Sequence, residues 1–272
     1  MNTISLSPSD LAIASSLLLF DALLSVILRL NLHRQVIWAG IRMVVQLVAV
    51  GFLLRWVFSM HHPALTVAVV AAMSIIAARE IAARPERKFK GWVGLGISGV
   101  GVAIATVVTV GLALTTAIRP QPWYDARYAI PLAGIVLGSV LNAGSLTLDT
   151  LLADARREKA AIEAQLALGT PFRAAFAPLI RNAVRRGLLP IVNQMSAAGL
   201  ITLPGIMTGQ IIAGEDPIEA VKYQILLMFL LAGASGVTGL VIAGLAAGRL
   251  SDGRQRLRLD RLRSASVVDS FR

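Results

Sequence analysis

Cysteine is absent from the 272-residue chain, which excludes disulfides and thiolate metal sites. Charge is sparse: Asp, Glu, Lys and Arg together make up 15%. The three histidines, His33, His61 and His62, have no further partner at zinc-ligand spacing, and no H-E-x-x-H occurs. The phosphate loop G-x-x-x-x-G-K-[ST] is missing, and none of Lys88, Lys90, Lys159 and Lys222 follows a glycine. The chain therefore does not hydrolyse ATP by that route. With no histidine inside an apolar run, a Ser–His relay has no base. Residues 1–10 lack Lys and Arg, so a removed signal peptide is not expected.

Apolar residues supply 56% of the chain, and the mean hydropathy is +0.72. These values, with runs of about 20 apolar residues, point to an all-α polytopic membrane protein rather than a soluble helical domain. Seven spans are expected: Leu11–Leu30, Val36–Phe58, Ala64–Ala83, Trp92–Ala117, one opening at Ala129, one opening at Gly187 and one within Glu219–Leu250. Glycines 94, 96, 99, 101 and 111 suit the fourth to close helix approach. The fifth should run unbroken from Ala129 past Leu148 into a polar extension, Arg156–Leu168. The loop 119–127, with two prolines, Trp123 and Tyr124, suits an interfacial turn.

The net charge of +11 is not a nucleic-acid signal, because the basic residues concentrate in alternate loops: 29–35, 84–90, 156–186 and the C-terminal tail. That alternation puts the N-terminus outside and the C-terminus inside. It divides the chain into a transmembrane domain, 1–250, and a basic cytoplasmic tail, 251–272, of which the last ten or so residues read as disordered.

Glu163 to Gln224 organises the rest. Glu163-Ala-Gln-Leu-Ala-Leu-Gly169 reads as a polar helix ending at Gly169. Thr170 and Pro171 then read as N-cap and first helical position of a short second helix from Phe172 to about Ile180. Phe172 and Phe176 share one face of it and are expected to enter a groove on a partner, the alternative being packing on this chain's own helices. Arg173, Arg181, Arg185 and Arg186 would surround that anchor or meet lipid headgroups. Leu203-Pro-Gly-Ile-Met-Thr-Gly209 places one proline and two glycines in an apolar run, so the sixth span is expected to break there, as a full span or a re-entrant pair.

Few polar groups lie within the spans. Gly134, Gly138, Asn142, Ser145 and Asp149 recur at helical spacing, which fits either a packing seam or a cavity wall. Arg42 and Gln46 lie one turn apart on the second span, and Asn193, Gln194, Met195 and Ser196 form a patch on the sixth. Asp21 and Arg42 are expected to form a structural ion pair between the first two spans. His61-His62 reads as a solvated loop pair.

The Glu163–Gly169 segment resembles the EAA loop of bacterial ABC-transporter permeases, with Gln165 in place of the second Ala. Together with Leu203–Gly209, Ala213-Gly-Glu-Asp-Pro217, Ala220–Gln224, Arg42 and Gln46 in IRMVVQLVAVGF, and PLAGIVLGSVLN, the chain resembles the FetB/YbbM family of iron-export permeases, relatives of plant aluminium-tolerance permeases. The resemblance implies an inner-membrane, multi-pass homodimeric permease, not itself an enzyme. It would work with a separate ABC ATPase that binds ATP and Mg; this chain would bind no cofactor and no nucleic acid. It implies ATPase coupling through Glu163, Gly169, Thr170, Pro171, Phe172 and Phe176. The candidate path residues are Arg42, Gln46, Asn142, Ser145, Asn193, Gln194, Pro204, Gly205, Met207 and Gly209. Iron or another metal is the implied cargo, although the spans offer amides, hydroxyls and Met rather than imidazoles, and no metal ligands can be named. A lipid or sugar-conjugate permease, and a membrane enzyme or receptor needing no ATPase, are the competing readings.

Overall fold

A computed structural model describes residues 7–60, 62–122 and 124–264; expectations for His61, for Trp123 and for the tail after Ser264 lie outside them. The chain separates into two compact units near residue 61, and each is described by itself.

The first unit is a helical hairpin of α1 (Pro8–Ile27) and α2 (His33–Met60). Ser7 and Asp10 form a reciprocal capping box that satisfies two orphan amides at the start of α1. Between the helices, Arg29 and Asn31 take left-handed backbone conformations, and the Ser25 hydroxyl accepts from the Leu32 amide at 2.9 Å. Gly40 lets α2 approach α1: a Cβ there would lie 2.7 Å from Leu18 Cδ2. Asp21 is exposed and makes no ion pair among the described residues, so the expected Asp21–Arg42 pair does not form.

The second unit holds α3 (Pro63–Ala83), α4 (Val93–Leu112) extended by a π-helical segment Ala113–Ile118, α5 (Ala126–Arg157), α6 (Lys159–Ala167), α7 (Phe172–Ala197), α8 (Gly205–Ile212) and α9 (Pro217–Arg249). At its centre is α5, which packs against α3, α4, α7 and α9. Small residues set these distances. A Cβ on Gly144 would lie 2.9 Å from Ile81 and 3.0 Å from Ile242, and one on Gly187 would lie 2.8 Å from the Ala143 carbonyl oxygen and overlap Thr147. In α4 only Gly101 makes such a close approach, against Ile242 at 2.7 Å.

Among the described residues, six helices are long and apolar enough to cross a bilayer: α1, α2, α3, α4 with part of its π segment, α5 and α9. This is a polytopic all-α membrane protein. The expected sixth span is not among the six. The sequence reading also separates a short helix near Phe172–Ile180 from a span at Gly187, whereas α7 runs unbroken through Arg181–Arg186. The reason is one buried stripe, Phe172, Phe176, Leu179, Ala183, Gly187 and Ile191, continuous through both halves, with Arg181, Arg185 and Arg186 on the exposed side. The expected break does occur: α7 ends at Ala197 and α8 begins at Gly205, with Pro204 as its N-cap. The fifth helix is not the uninterrupted lever expected, because Glu158 (φ −97°, ψ 16°) separates α5 from α6.

Three of the basic segments, 84–90, the start of α7 and residues 251–264, meet on one face of this unit. Strand β1 (Arg87–Phe89), in the α3–α4 loop, pairs antiparallel with β2 (Leu262–Ser264) in the tail, with Phe89 opposite Leu262. The Glu86 amide donates to Asp149 Oδ1 at 3.1 Å, tying the same loop to α5. Tail residues 251–264 are therefore docked on the helices rather than forming a separate appendage.

Candidate functional site

The turn between α6 and α7 closes as a Schellman motif. The Thr170 amide donates to the Gln165 carbonyl and the Gly169 amide to the Leu166 carbonyl, both at 3.0 Å. Gly169 sits at φ +87°, where a Cβ is disfavoured, so glycine is required by the backbone. Glu163, Gly169 and Pro171 are exposed and Thr170 is half-buried. Beneath the turn, Phe172 and Phe176 stack with centroids 4.7 Å apart. Both rings are buried in this chain's own core, at 6% and 0% exposure. The expectation that they enter a partner's groove is thus corrected: they pack inward because α7 carries its apolar stripe to its first residue.

The start of α7 has no cap from its own Pro171. Gln255 of the tail supplies one, its Oε1 accepting from the Phe172 amide at 2.8 Å. Gln255 is held at φ +56° by a turn built on Asp252. There Asp252 Oδ1 accepts from the Arg254 and Arg256 amides at 3.0 and 2.9 Å, and Oδ2 accepts from Arg256 Nε at 2.9 Å. The bond from the Arg256 amide, followed by those from the Arg256 side chain and the Arg254 amide, lowers the Asp252 carboxyl to about 2. Arg258 grips Asp260 through two bonds of 2.8 Å, which lower Asp260 to about 2 and raise the guanidinium. Arg261 Nη1 donates to the Arg249 carbonyl at 2.6 Å, fastening the tail to the end of α9. An open groove of about 730 Å³ results, with Glu163, Leu166, Ala167, Gly169 and Thr170 on one wall and Gly253 to Leu257 on the other.

A second feature lies at the surface of the unit centred on α5, where Asn142 and Gln194 are both exposed. Asn142 and Ser139 of α5, Gln194 of α7 and Ser235 of α9 line a cavity of about 200 Å³. Ser139 and Ser235 are hydrogen-bonded at 2.8 Å, across 96 residues of chain. The hydroxyls of Ser145 and Thr147 are buried with no partner among the described residues. The lining offers neutral oxygen and nitrogen groups only. Among the described residues, no three His, Asp or Glu side chains gather as a metal site.

The structure brings Asn142 and Gln194 together, with Ser145 buried close by in sequence. The other candidate path residues of this unit do not line the cavity. Arg42 and Gln46 lie exposed on α2, in the first unit. Asn193 is exposed on α7; Pro204, Gly205, Met207 and Gly209 build α8, none of whose residues is buried.

A family model described as an uncharacterised protein family, UPF0014, matches residues 8–250. The chain belongs to the UPF0014 family. Among its curated relatives is the UPF0014 membrane protein slr1647 of Synechocystis, 40% identical over 74% of this chain and 77% of that one. The protein named probable iron export permease protein FetB in Escherichia coli is 29% identical over 97% of this chain and 99% of its own. UPF0014 membrane protein STAR2 of rice is 32% identical over 84% and 78%. No solved structure matches.

In this UPF0014 chain the sequence reading passed over four side chains that build the sites. Gln255 and Asp252 lie in a tail dense in arginine, and the only local signal is the Asp252-Gly253 turn pair. Asn182 follows an arginine on α7 and gives no hint of its bond to Asp154, 28 residues earlier. Ser139, three residues before Asn142 on the same face, was legible as its neighbour.

Proposed function

We propose that this UPF0014 protein is the transmembrane subunit of an ABC transporter, acting in the inner membrane as a homodimer with two copies of a separate ATPase. The basic face is then cytoplasmic, as the distribution of Lys and Arg requires. The observation that carries the reading is the exposed α6–α7 turn on that face. Its backbone is closed by a Schellman motif, it is seated on two buried rings, and it is continuous with α7. A rigid turn at the start of the 26-residue α7 can pass a displacement of the ATPase along that helix to Gln194, which lines the Asn142 cavity. In this reading Glu163, Gly169, Thr170 and Pro171 meet the ATPase, and Phe172 and Phe176 act from beneath by fixing the turn. Nucleotide and Mg are bound by the partner.

Export of iron or another metal is supported by the name of the E. coli relative, which matches nearly end to end. The neutral lining of the Asn142–Gln194 cavity favours a second reading, an uncharged polar cargo such as a sugar or lipid conjugate. To test the ATPase assignment, the chain is reconstituted in lipid with each ABC ATPase encoded by the source genome, and hydrolysis is measured. At least one pairing should raise the ATPase rate several-fold, and failure of all pairings rejects the reading. Cellular metal content in a deletion strain separates the cargoes: metal accumulates if metal is exported, and is unchanged for a conjugate.

A further inference from the structure

Two walls of different origin form the groove beside the coupling turn, and only one of them belongs to the motif that suggests coupling. The first is Glu163 to Thr170. The second is the tail turn, Gly253 to Leu257. Three fastenings hold the tail wall at a fixed spacing: the Gln255 cap on Phe172, the Asp252 bonds that shape the turn, and the β1–β2 pairing. The spacing is thus built, not incidental. The groove is open, and its charged rims differ in sign, which suits a protein segment better than an enclosed small molecule. Glu163 is half-exposed beside Lys159 at 3.7 Å, a weak surface pair. Across from it Arg254 is exposed, and its guanidinium makes no ion pair among the described residues, whereas Arg256 and Arg258 are taken up by Asp252 and Asp260.

We infer that the tail turn Gly253–Leu257 is the second wall of the ATPase seat, so that the ATPase inserts between it and the α6–α7 turn, with an acidic side chain facing Arg254. The inference rests on the ABC reading above and adds to it a contact that the α6–α7 turn alone does not supply. Gln255 is the positioning residue that sets the width of the seat.

The absence of cysteine makes the test direct. Ala167→Cys and Gly253→Cys place one thiol on each wall; both positions are exposed, and a Cβ at Gly253 meets open space. The full chain in lipid nanodiscs is labelled with a maleimide, with and without a purified ABC ATPase selected by stable co-purification with the wild-type chain. The inferred seat slows labelling at both positions about tenfold, and Arg254→Glu weakens ATPase binding about tenfold without changing the chain's melting temperature. Protection at Ala167→Cys alone, with binding indifferent to Arg254→Glu, overturns the inference and leaves the ABC reading standing. Protection at neither position, or no ATPase that co-purifies, overturns both.

Discussion

Asn182 on α7 donates a 2.6 Å hydrogen bond to Asp154 on α5, and the same carboxylate receives Arg157 at 2.9 Å. Asp154 is buried and Asn182 half-buried, so this is a polar crosslink between two helices in a largely apolar bundle. It lies where α5 is about to end and α7 has passed its first two turns, on the α7 side of the α6–α7 turn. Asp154→Ala leaves the Asn182 amide without its acceptor and should cost about 1–3 kcal/mol, read as a lower melting temperature in detergent. Asp154→Asn keeps the shape and one acceptor oxygen and should cost less. Equal losses for the two would show that the charge of Asp154, not the hydrogen bond from Asn182, is the operative feature.

Gly169→Ala tests the turn itself. At φ +87° a Cβ should cost about 1–3 kcal/mol locally. The expected result is faster proteolysis of the turn and a several-fold loss of coupled ATP hydrolysis, with insertion unchanged. Normal coupling in this variant would remove the turn from the mechanism.

Gly187 and Gly138 make a matched pair. A Cβ at Gly187 meets Thr147 and the Ala143 carbonyl, while one at Gly138 meets nothing within 4 Å. Gly187→Ala should force α7 away from α5 at a cost of about 1–3 kcal/mol. Gly138→Ala should be neutral or slightly stabilising. Thermal melts of the two variants decide it, and equal melting points would contradict the packing described.

Orientation is tested by single cysteines. Glu86→Cys and Gly253→Cys lie on the same basic face and should resist an impermeant thiol reagent applied to intact cells, while Ser7→Cys reacts. Labelling of Glu86→Cys from outside reverses the assignment.

The tail turn has a defined acid limit. Asp252 ordinarily titrates at 3.8 and is lowered to about 2 by its bonds to Arg256 and Arg254. Because the folded value is the lower one, the carboxylate's contribution is fully present above about 4 and is lost as pH falls toward 2. Hydrogen exchange at the Phe172 amide, which Gln255 covers, should be insensitive to protonation of Asp252 between pH 5 and 8 once the intrinsic rate is divided out. Gln255→Ala should raise that exchange throughout this range. An unchanged rate would mean that the cap does not protect the amide.

Much of this fold was legible because lipid solvent leaves long, clean signals. Six helices follow from runs of apolar residues, and Pro204-Gly205 marked the break before α8. Gly169 was recognisable as a helix end because a Schellman turn asks for glycine. The errors came where charge misled. Arg181–Arg186 reads as a loop, yet α7 passes straight through it on a buried stripe that the arginines flank. Asp21 and Arg42 share an expected depth, yet Asp21 is exposed and makes no ion pair among the described residues. How residues 251–264 dock was not legible, because their partners, Phe89 and Phe172, lie far away in the chain. Of the candidate site, the turn residues and Asn142 with Gln194 were readable, and the groove's second wall was not.

The pairing of Phe89 with Leu262 has a consequence for biosynthesis. About 170 residues of chain separate the two strands, so β1 must wait, partnerless, while α4 to α9 are made. The cost of closing so long a loop is met only because the helices have by then brought the two segments to one face. A chain halted after α9 would hold its membrane helices in place and still lack the cap on Phe172 and the turn at Asp252. Completion of that face is thereby a record that translation has reached Ser264.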